Sequence, residues 1–161
     1  MSRPEPISEH HIIQHFDCGQ PALNDWLKNR SLQSEAKSAR TYVVCKETIV
    51  AGYYCLAAGG VLRDDVPRKI RHNLPTSVPV MVLGRLAVDA AYQGQKLGSS
   101  LLKDAMQRTM AASRVAGVRC LVVHSIDDES VPFYLQYGFV QFPEGSKTLF
   151  LPTENMERAL A

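Results

Sequence analysis

No apolar run in this 161-residue sequence approaches the roughly 20 residues that a membrane-spanning helix needs, so no such helix is expected. Charge of one sign is scarce too. The 18 Lys and Arg stand against 16 Asp and Glu, a formal net charge of +2, so bulk charge indicates no nucleic-acid partner and a basic face would have to come from clustering. Cysteine is limited to Cys18, Cys45, Cys55 and Cys120, with no close pair at metal-ligand spacing and the last three inside apolar runs. Buried, reduced thiols are expected rather than disulfides or a catalytic thiol. His10, His11 and His15 lack carboxylate or cysteine partners at suitable spacing, so no metal site is expected. The opening Met1–Pro6 has no apolar core of the signal-peptide kind, which makes a cytoplasmic location the expectation.

What is present describes an ordinary globular chain: 45% hydrophobic and 21% charged residues, in a length that suits one domain with a real core. Ile7–Phe16, apolar at intervals, predicts a short strand or edge segment, broken by Asp17-Cys18-Gly19. Leu23, Trp26 and Leu27, with Pro21 in a first-turn position, predict a helix over Gln20–Asn29; a second short helix is expected over Ser31–Ala36. Thr41–Lys46 and Ile49–Ala57 are predicted strands joined by a tight turn at Glu47-Thr48. From Gly59 to Pro79, Pro67, Pro75 and Pro79 alternate with Arg63, Arg68, Lys69, Arg71 and His72, which predicts a long connection containing a short basic helix.

A strand follows over Val80–Val88, then a helix over Leu97–Val115 with Leu101, Leu102, Ala105, Met106 and Thr109 as its apolar stripe and Gly117 as its C-terminal cap. Val118–His124 reads as a buried strand, Glu129–Tyr137 as a short helix stopped by Gly138, and Phe139–Phe142 and Thr148–Leu151 as closing strands. Antiparallel strands followed by strand–helix–strand–helix–strand imply a mixed sheet with helices on both faces.

The stretch Leu83–Leu102 carries the chemistry. An apolar run ending Gly84-Arg85-Leu86-Ala87-Val88-Asp89 passes through Ala90-Ala91-Tyr92 into a turn, Gln93-Gly94-Gln95-Lys96-Leu97-Gly98-Ser99, that opens an amphipathic helix. Such a strand–turn–helix gathers backbone N–H groups and the positive end of a helix dipole at one place, where a polyphosphate fits. The glycines alone equally suit an ordinary loop. The turn resembles the Gln/Arg-x-x-Gly-x-Gly/Ala loop with which GCN5-related N-acetyltransferases, the GNAT superfamily, bind the pyrophosphate of acetyl-CoA. Gln93 and Gly98 match, whereas Lys96 stands where the family has glycine. With a helical backbone Lys96 would serve and its ammonium would neutralise a phosphate; weakened cofactor affinity is the other reading.

Phe133-Tyr134-Leu135-Gln136-Tyr137-Gly138-Phe139 resembles the same superfamily's Phe-Tyr-x-x-x-Gly-Phe signature. The resemblance implies that Tyr134 is the acid that protonates the departing CoA thiolate, with Tyr137 the weaker candidate; packing on an amphipathic helix is the other reading of Tyr134. It also implies acetyl-CoA contacts from Leu86, Ala87 and Val88, from Gln93, Gly94, Gln95, Lys96, Leu97, Gly98 and Ser99, and from Phe133. Backbone N–H groups of a bulged strand near Leu86–Val88 would polarise the thioester carbonyl. The implied fold is α/β (α+β): a central mixed, mostly antiparallel sheet of six to seven strands flanked by about four helices, as a single domain over residues 1–161.

A finer resemblance covers nearly the whole chain. Phe16-Asp17-Cys18-Gly19, Leu23-Asn24-Asp25-Trp26-Leu27, Ser38–Val44, Gly52-Tyr53-Tyr54 and Pro79–Asp89 are similar to GNAT toxins of bacterial toxin–antitoxin modules, the TacT-like proteins. That likeness implies acetylation of the α-amino group on charged tRNA, which blocks translation. It implies a cognate ribbon–helix–helix antitoxin as partner, operator DNA reached only through that antitoxin, and a homodimer. Lys28, Arg30, Lys37, Arg40, Arg68, Lys69, Arg71 and Arg85 then read as a tRNA-binding set; for each one singly, a solvated surface is the simpler reading. No aromatic stacking platform for bases is evident, which favours recognition of shape and backbone. Two other functions fit the same motifs: an acetyltransferase of a small amine or protein N-terminus, and a catalytically weak CoA-binding interaction module, which Lys96 favours.

Overall fold

The computed structural model of the protein describes residues 1–35 and 37–160. Seven strands form one sheet in the order β1-β2-β3-β4-β5-β7-β6. The chain divides into two compact units, Met1–Ala57 with Gly84–Ala105, and Ala58–Leu83 with Met106–Ala161.

The first unit holds β1 (Glu5–Pro6), α1 (Pro21–Glu35), β2 (Ala39–Lys46) and the first part of β3 (Ile49–Leu62). It also holds the end of β4 (Ser77–Val88) and the start of α2 (Leu97–Ala116). β2 and β3 pair antiparallel from Lys46↔Ile49 to Ala39↔Ala57, with a register shift between Val44 and Cys45. Their turn is the expected Glu47-Thr48, and Glu47 takes a positive φ of 60° there. Phe16, Leu23, Trp26, Leu27, Val43, Cys45, Val50, Tyr53, Cys55 and Ala87 pack into one core. Tyr53 lies at its middle: its ring stacks on Trp26 at 5.9 Å and meets Phe16 edge-on at 5.5 Å, while its hydroxyl donates to the Leu23 carbonyl at 2.7 Å. That bond satisfies the one polar atom such a ring brings into a core.

Two expectations in this unit fail. Ile7–Phe16 is no strand; the strand is Glu5–Pro6, and the later residues offer the sheet only a parallel bridge, Ile12↔Ile49. A turn at Ser8–His11 takes the backbone off the ladder, since the Ser8 N–H donates to His11 Nδ1 and the His11 N–H to the Ser8 carbonyl. The separate helix expected over Ser31–Ala36 is the continuation of α1, which runs unbroken to Glu35; Ala36 lies outside the described residues. Nothing between Asn29 and Ser31 breaks a helix, and the Ser31 hydroxyl donates to the Leu27 carbonyl one turn back.

In the second unit β4 pairs parallel with β5 (Cys120–His124), in register from Val80↔Cys120 to Leu83↔Val123. β5 pairs antiparallel with β7 (Thr148–Pro152), and β7 with β6 (Val140–Gln141). Helices α3 (Val131–Leu135) and α4 (Met156–Leu160) complete it; α3 is shorter than expected and α4 was not foreseen. The connection expected over Gly59–Pro79 is shorter, because β3 continues to Leu62 and β4 begins at Ser77. A Cβ at Gly59 would lie 3.1 Å from Val82, so the glycine that looked like a strand end is a place where β3 lies close beneath valine side chains. Between the strands sit two 3₁₀ turns, Arg63–Asp65 and Arg68–Ile70, the second standing where a short basic helix was expected.

At Gly52 the backbone lies close against its neighbours in the first unit. A Cβ there would meet Leu101 at 3.0 Å, the Ala87 carbonyl at 3.2 Å and Val44 at 3.6 Å. Gly52→Ala is expected to lower unfolding free energy by about 1–3 kcal/mol through overpacking, read by urea denaturation.

Candidate active site

Where β4 ends, the chain turns toward α2, and Asp89 holds that turn with both carboxylate oxygens. Oδ1 accepts the Ala91 N–H at 2.9 Å and Oδ2 accepts the Asp17 N–H at 3.0 Å. The Asp89 N–H donates to Ala51 and the Ala90 N–H to Asp17, each at 2.8 Å. Asp17 Oδ1 in turn accepts the Gly19 N–H at 2.9 Å and the Asn24 side-chain amide at 3.0 Å, and the Cys18 N–H donates to Asn24 Oδ1 at 2.9 Å. Gln93 closes the network: its side-chain N–H group donates to the carbonyls of Val88 at 2.9 Å and Cys18 at 3.2 Å. The Asp17-Cys18-Gly19 loop and the first turn of α1 are thereby tied to the segment that leads into α2.

Next comes the glycine-bearing turn. Gly94 has a φ of 84° and Lys96 a φ of 64°. Lys96 is therefore left-handed, not helical as the favourable case required. That is the conformation for which glycine is the ordinary choice, and a side chain there costs roughly 1–2 kcal/mol. Its ammonium is exposed. The positive φ at Lys96 brings the chain into the first residue of α2, a 20-residue helix, and the Lys96 carbonyl accepts the Ser100 N–H at 3.1 Å. Nothing lies within 4 Å of where a Gly94 Cβ would stand, so the turn borders open space. Backbone donors, a helix N-terminus and an open approach are what a pyrophosphate requires. Before the turn, Ala87 is buried, with Leu86 and Val88 half-buried on either side.

In the second unit Tyr134 lies on α3, buried, with its ring edge-on to Phe133 at 5.1 Å and to Phe139 at 5.7 Å. Its ring thus packs as a core residue does. Burial pushes its phenol well above the ordinary value of 10, so the group, neutral at cellular pH in any case, resists ionisation further. Among the described residues its hydroxyl has no hydrogen-bond partner, yet no fully buried side-chain polar atom lacks one. The hydroxyl therefore reaches accessible space, free to donate to a ligand. Tyr137 packs on Phe133 at 5.6 Å.

The basic residues divide between the units. Lys28, Arg30, Lys37 and Arg40 are exposed on or just after α1 and at the start of β2, and half-buried Arg85 sits on β4; all belong to the first unit. Arg68 and Lys69 are exposed on a 3₁₀ turn of the second. Arg71 is turned inward: it donates to the Val66 carbonyl at 2.7 and 3.1 Å and to the Asp64 carbonyl at 3.1 Å, so it organises its own loop.

One reading about metals needs correction. The histidines do have a carboxylate partner: donor atoms of Glu5, His10 and His11 lie within 4.8 Å of one another. The fold, not the spacing, brings Glu5 there. His11 is already engaged through both ring nitrogens, Nδ1 with the Ser8 N–H at 2.9 Å and Nε2 with Glu5 at 2.8 Å. Sequence reasoning also missed Asp17, Asn24 and Asp89 as holders of the turn. The Asp-x-Gly spacing at Asp17–Gly19 was a signal for a local side-chain–backbone turn, but its partner 72 residues away left none.

This fold and these motifs define an acyl-CoA-dependent acyltransferase. Residues 37–141 match the model of the acetyltransferase (GNAT) domain, and the chain belongs to that family. It is 39% identical, over 93% of its own length and 91% of the relative's, to a tRNA-acetylating toxin of Mycobacterium tuberculosis. Among solved structures, AtaT complexed with acetyl-methionyl-tRNAfMet superimposes with a TM-score of 0.89 at 30% identity, covering 98% of both chains. AtaTR bound with AcCoA superimposes at 0.84 with 32% identity, covering 98% of this chain and 97% of that one. The AtaT–AtaR complex bound to DNA does so at 0.80 with 30% identity, covering 99% and 100%.

Asp89 needs both oxygens as acceptors, so an amide cannot replace it without setting an N–H₂ against a backbone N–H. Asp89→Asn is expected to cost about 1–3 kcal/mol of stability by urea denaturation. Lys96→Gly trades side-chain strain for chain entropy and should stay within about 1 kcal/mol of the native chain, whereas β-branched Lys96→Val should fall by roughly 1–2 kcal/mol. The Gly19 N–H first, then the Asn24 amide and the Lys28 charge, hold the Asp17 carboxyl below its ordinary 3.8. Its contribution is present above that value and lost as pH falls through the lower folded value. The Tm of the native chain should therefore drop more on acidification below pH 3.8 than that of Asp17→Asn.

Proposed function

We propose that this chain acetylates the α-amino group of the amino acid on charged tRNA, taking the acetyl group from acetyl-CoA, and thereby acts as the toxin of a toxin–antitoxin pair. The observation that carries the substrate assignment is the near full-length likeness to a tRNA-acetylating toxin, at 39% identity. The residues fit that chemistry. First-turn N–H groups of α2, with Gln93, Gly94, Gln95, Lys96, Leu97, Gly98 and Ser99, hold the pyrophosphate. The edge of β4 at Leu86, Ala87 and Val88 presents the thioester, and Phe133 packs beside Tyr134. Because the Gln93 amide is spent on Val88 and Cys18, this residue serves through its backbone and by fixing the turn.

An α-amine titrates near pH 8, and an adjacent ester lowers it further, so the nucleophile is largely neutral in the cell and needs no strong base. The amine nitrogen attacks the thioester carbon, its surplus proton leaves through water, and the C–S bond breaks. Tyr134 donates its hydroxyl proton to the departing sulfur. None of the four cysteines has to carry the acetyl group; desolvation raises Cys18 above its ordinary value and takes Cys45 and Cys120 to about 11, so these three stay thiols.

A cognate antitoxin neutralises the toxin and brings operator DNA to it, in the arrangement that the AtaT–AtaR complex bound to DNA represents. The chain works as one domain over residues 1–161, as a homodimer, in the cytoplasm; no helix among the described residues is long and apolar enough to cross a membrane. With labelled acetyl-CoA, the purified chain should label charged tRNA and not deacylated tRNA. Equal labelling of both would remove the α-amine as target. Tyr134→Phe should lower kcat by about 10²- to 10⁴-fold and relieve the growth arrest that the native chain causes when expressed without an antitoxin.

A further inference from the structure

Arg85 differs from the other basic residues. It is half-buried, and among the described residues its guanidinium has neither a hydrogen bond nor an ion pair. What holds it is the face of Trp26, with the guanidinium carbon 4.5 Å from the ring centroid. Trp26 is itself buried and stacked on Tyr53, whose hydroxyl is bonded to Leu23, so the platform beneath the cation is rigid. Arg71 shows the contrast, with its donors spent on carbonyls of its own loop. A guanidinium carries five N–H donors and no acceptor. Among the described residues no buried side-chain nitrogen lacks a partner, so these unpaired donors lie at accessible surface, held in place by the ring and open to an anion.

Position along the chain says which anion. Arg85 immediately precedes Leu86–Val88, and the polyphosphate turn at Gly94–Gly98 lies beyond the other end of that segment. At about 3.3 Å per strand residue, Val88 is roughly 10 Å from Arg85. The acetyl-presenting edge therefore separates the guanidinium from the pyrophosphate of acetyl-CoA and leaves it on the acceptor's side. Resting on the charged-tRNA reading, we propose that the Arg85 guanidinium, laid against Trp26, binds a phosphodiester near the 3′ end of the tRNA, and that Trp26 is a positioning residue for this contact. A planar fork pre-set by stacking suits two phosphate oxygens at once, which an ammonium cannot reproduce.

The test is steady-state kinetics with charged tRNA, together with the acetyl-CoA Kd by calorimetry. Arg85→Gln should raise the KM for charged tRNA by roughly 10- to 100-fold, with the acetyl-CoA Kd within about two-fold of native. It should also lower the slope of log KM against log salt by about one. Arg85→Lys should recover only a minor part. Trp26→Leu, with the charge kept, should raise the tRNA KM by about 3- to 10-fold; if it fails to fold, the two Arg85 variants decide alone. A tRNA KM unchanged in Arg85→Gln overturns the proposal, as does a loss that falls on acetyl-CoA instead, which would assign the guanidinium to a CoA phosphate. A native chain that acetylates no charged tRNA overturns the parent reading, and is told apart because it needs no variant.

Discussion

The rest of the first unit depends on one carboxylate that must accept from two backbone groups at once. Asp89 closes the turn after β4 through Ala91 and reaches back to the Asp17 N–H. Backbone N–H groups in a turn are costly to leave unmet, and an ionised carboxylate meets two of them without bringing any hydrogen of its own. Asp17 repeats the device for Gly19 and Asn24, and Asn24 returns it to Cys18. The outcome is a loop, a helix start and a strand end held in one geometry by short polar bonds. Backbone groups are aimed only by the path of the chain, so these bonds also fix where the N–H groups of the turn point.

Lys96 is the place where the requirement is hardest to reconcile with the residue. The turn demands a left-handed backbone, and the chain supplies a lysine. A strained residue persists when its surroundings over-determine it. Here the Asp89 and Gln93 bonds fix the near side and α2 the far side, so the path does not depend on what Lys96 prefers. Its charge is then exposed beside the helix N-terminus, where an anionic ligand gains from it.

Much was legible in the residues. β-branched and aromatic runs marked β2 and β3; the apolar stripe with Gly117 marked α2; Phe133-Tyr134 and Gln93–Gly98 marked the family. These signals are local, since each depends on a few residues and the period of one element. Ile7–Phe16 was misread because its spacing suits a strand, while a histidine ring takes the Ser8 N–H that pairing would have used. The stretch after Gly59 looked like a loop because glycine and proline weaken a strand signal, although valines of β4 packing close against Gly59 make its lack of a side chain an advantage.

By itself the sequence determined most of the elements and the family, since backbone propensity and motif spacing are properties of neighbours. Only the tertiary structure decided which residues hold these parts. Asp17 and Asp89 are 72 positions apart, and Trp26 and Arg85 are 59 apart. Hydrogen bonding and cation–π stacking act over a few ångströms of space, so no periodicity announces such partners. Tyr134 follows the same rule. Its place in the motif is a local property, but the upward shift of its phenol comes from burial, which the folded chain confers.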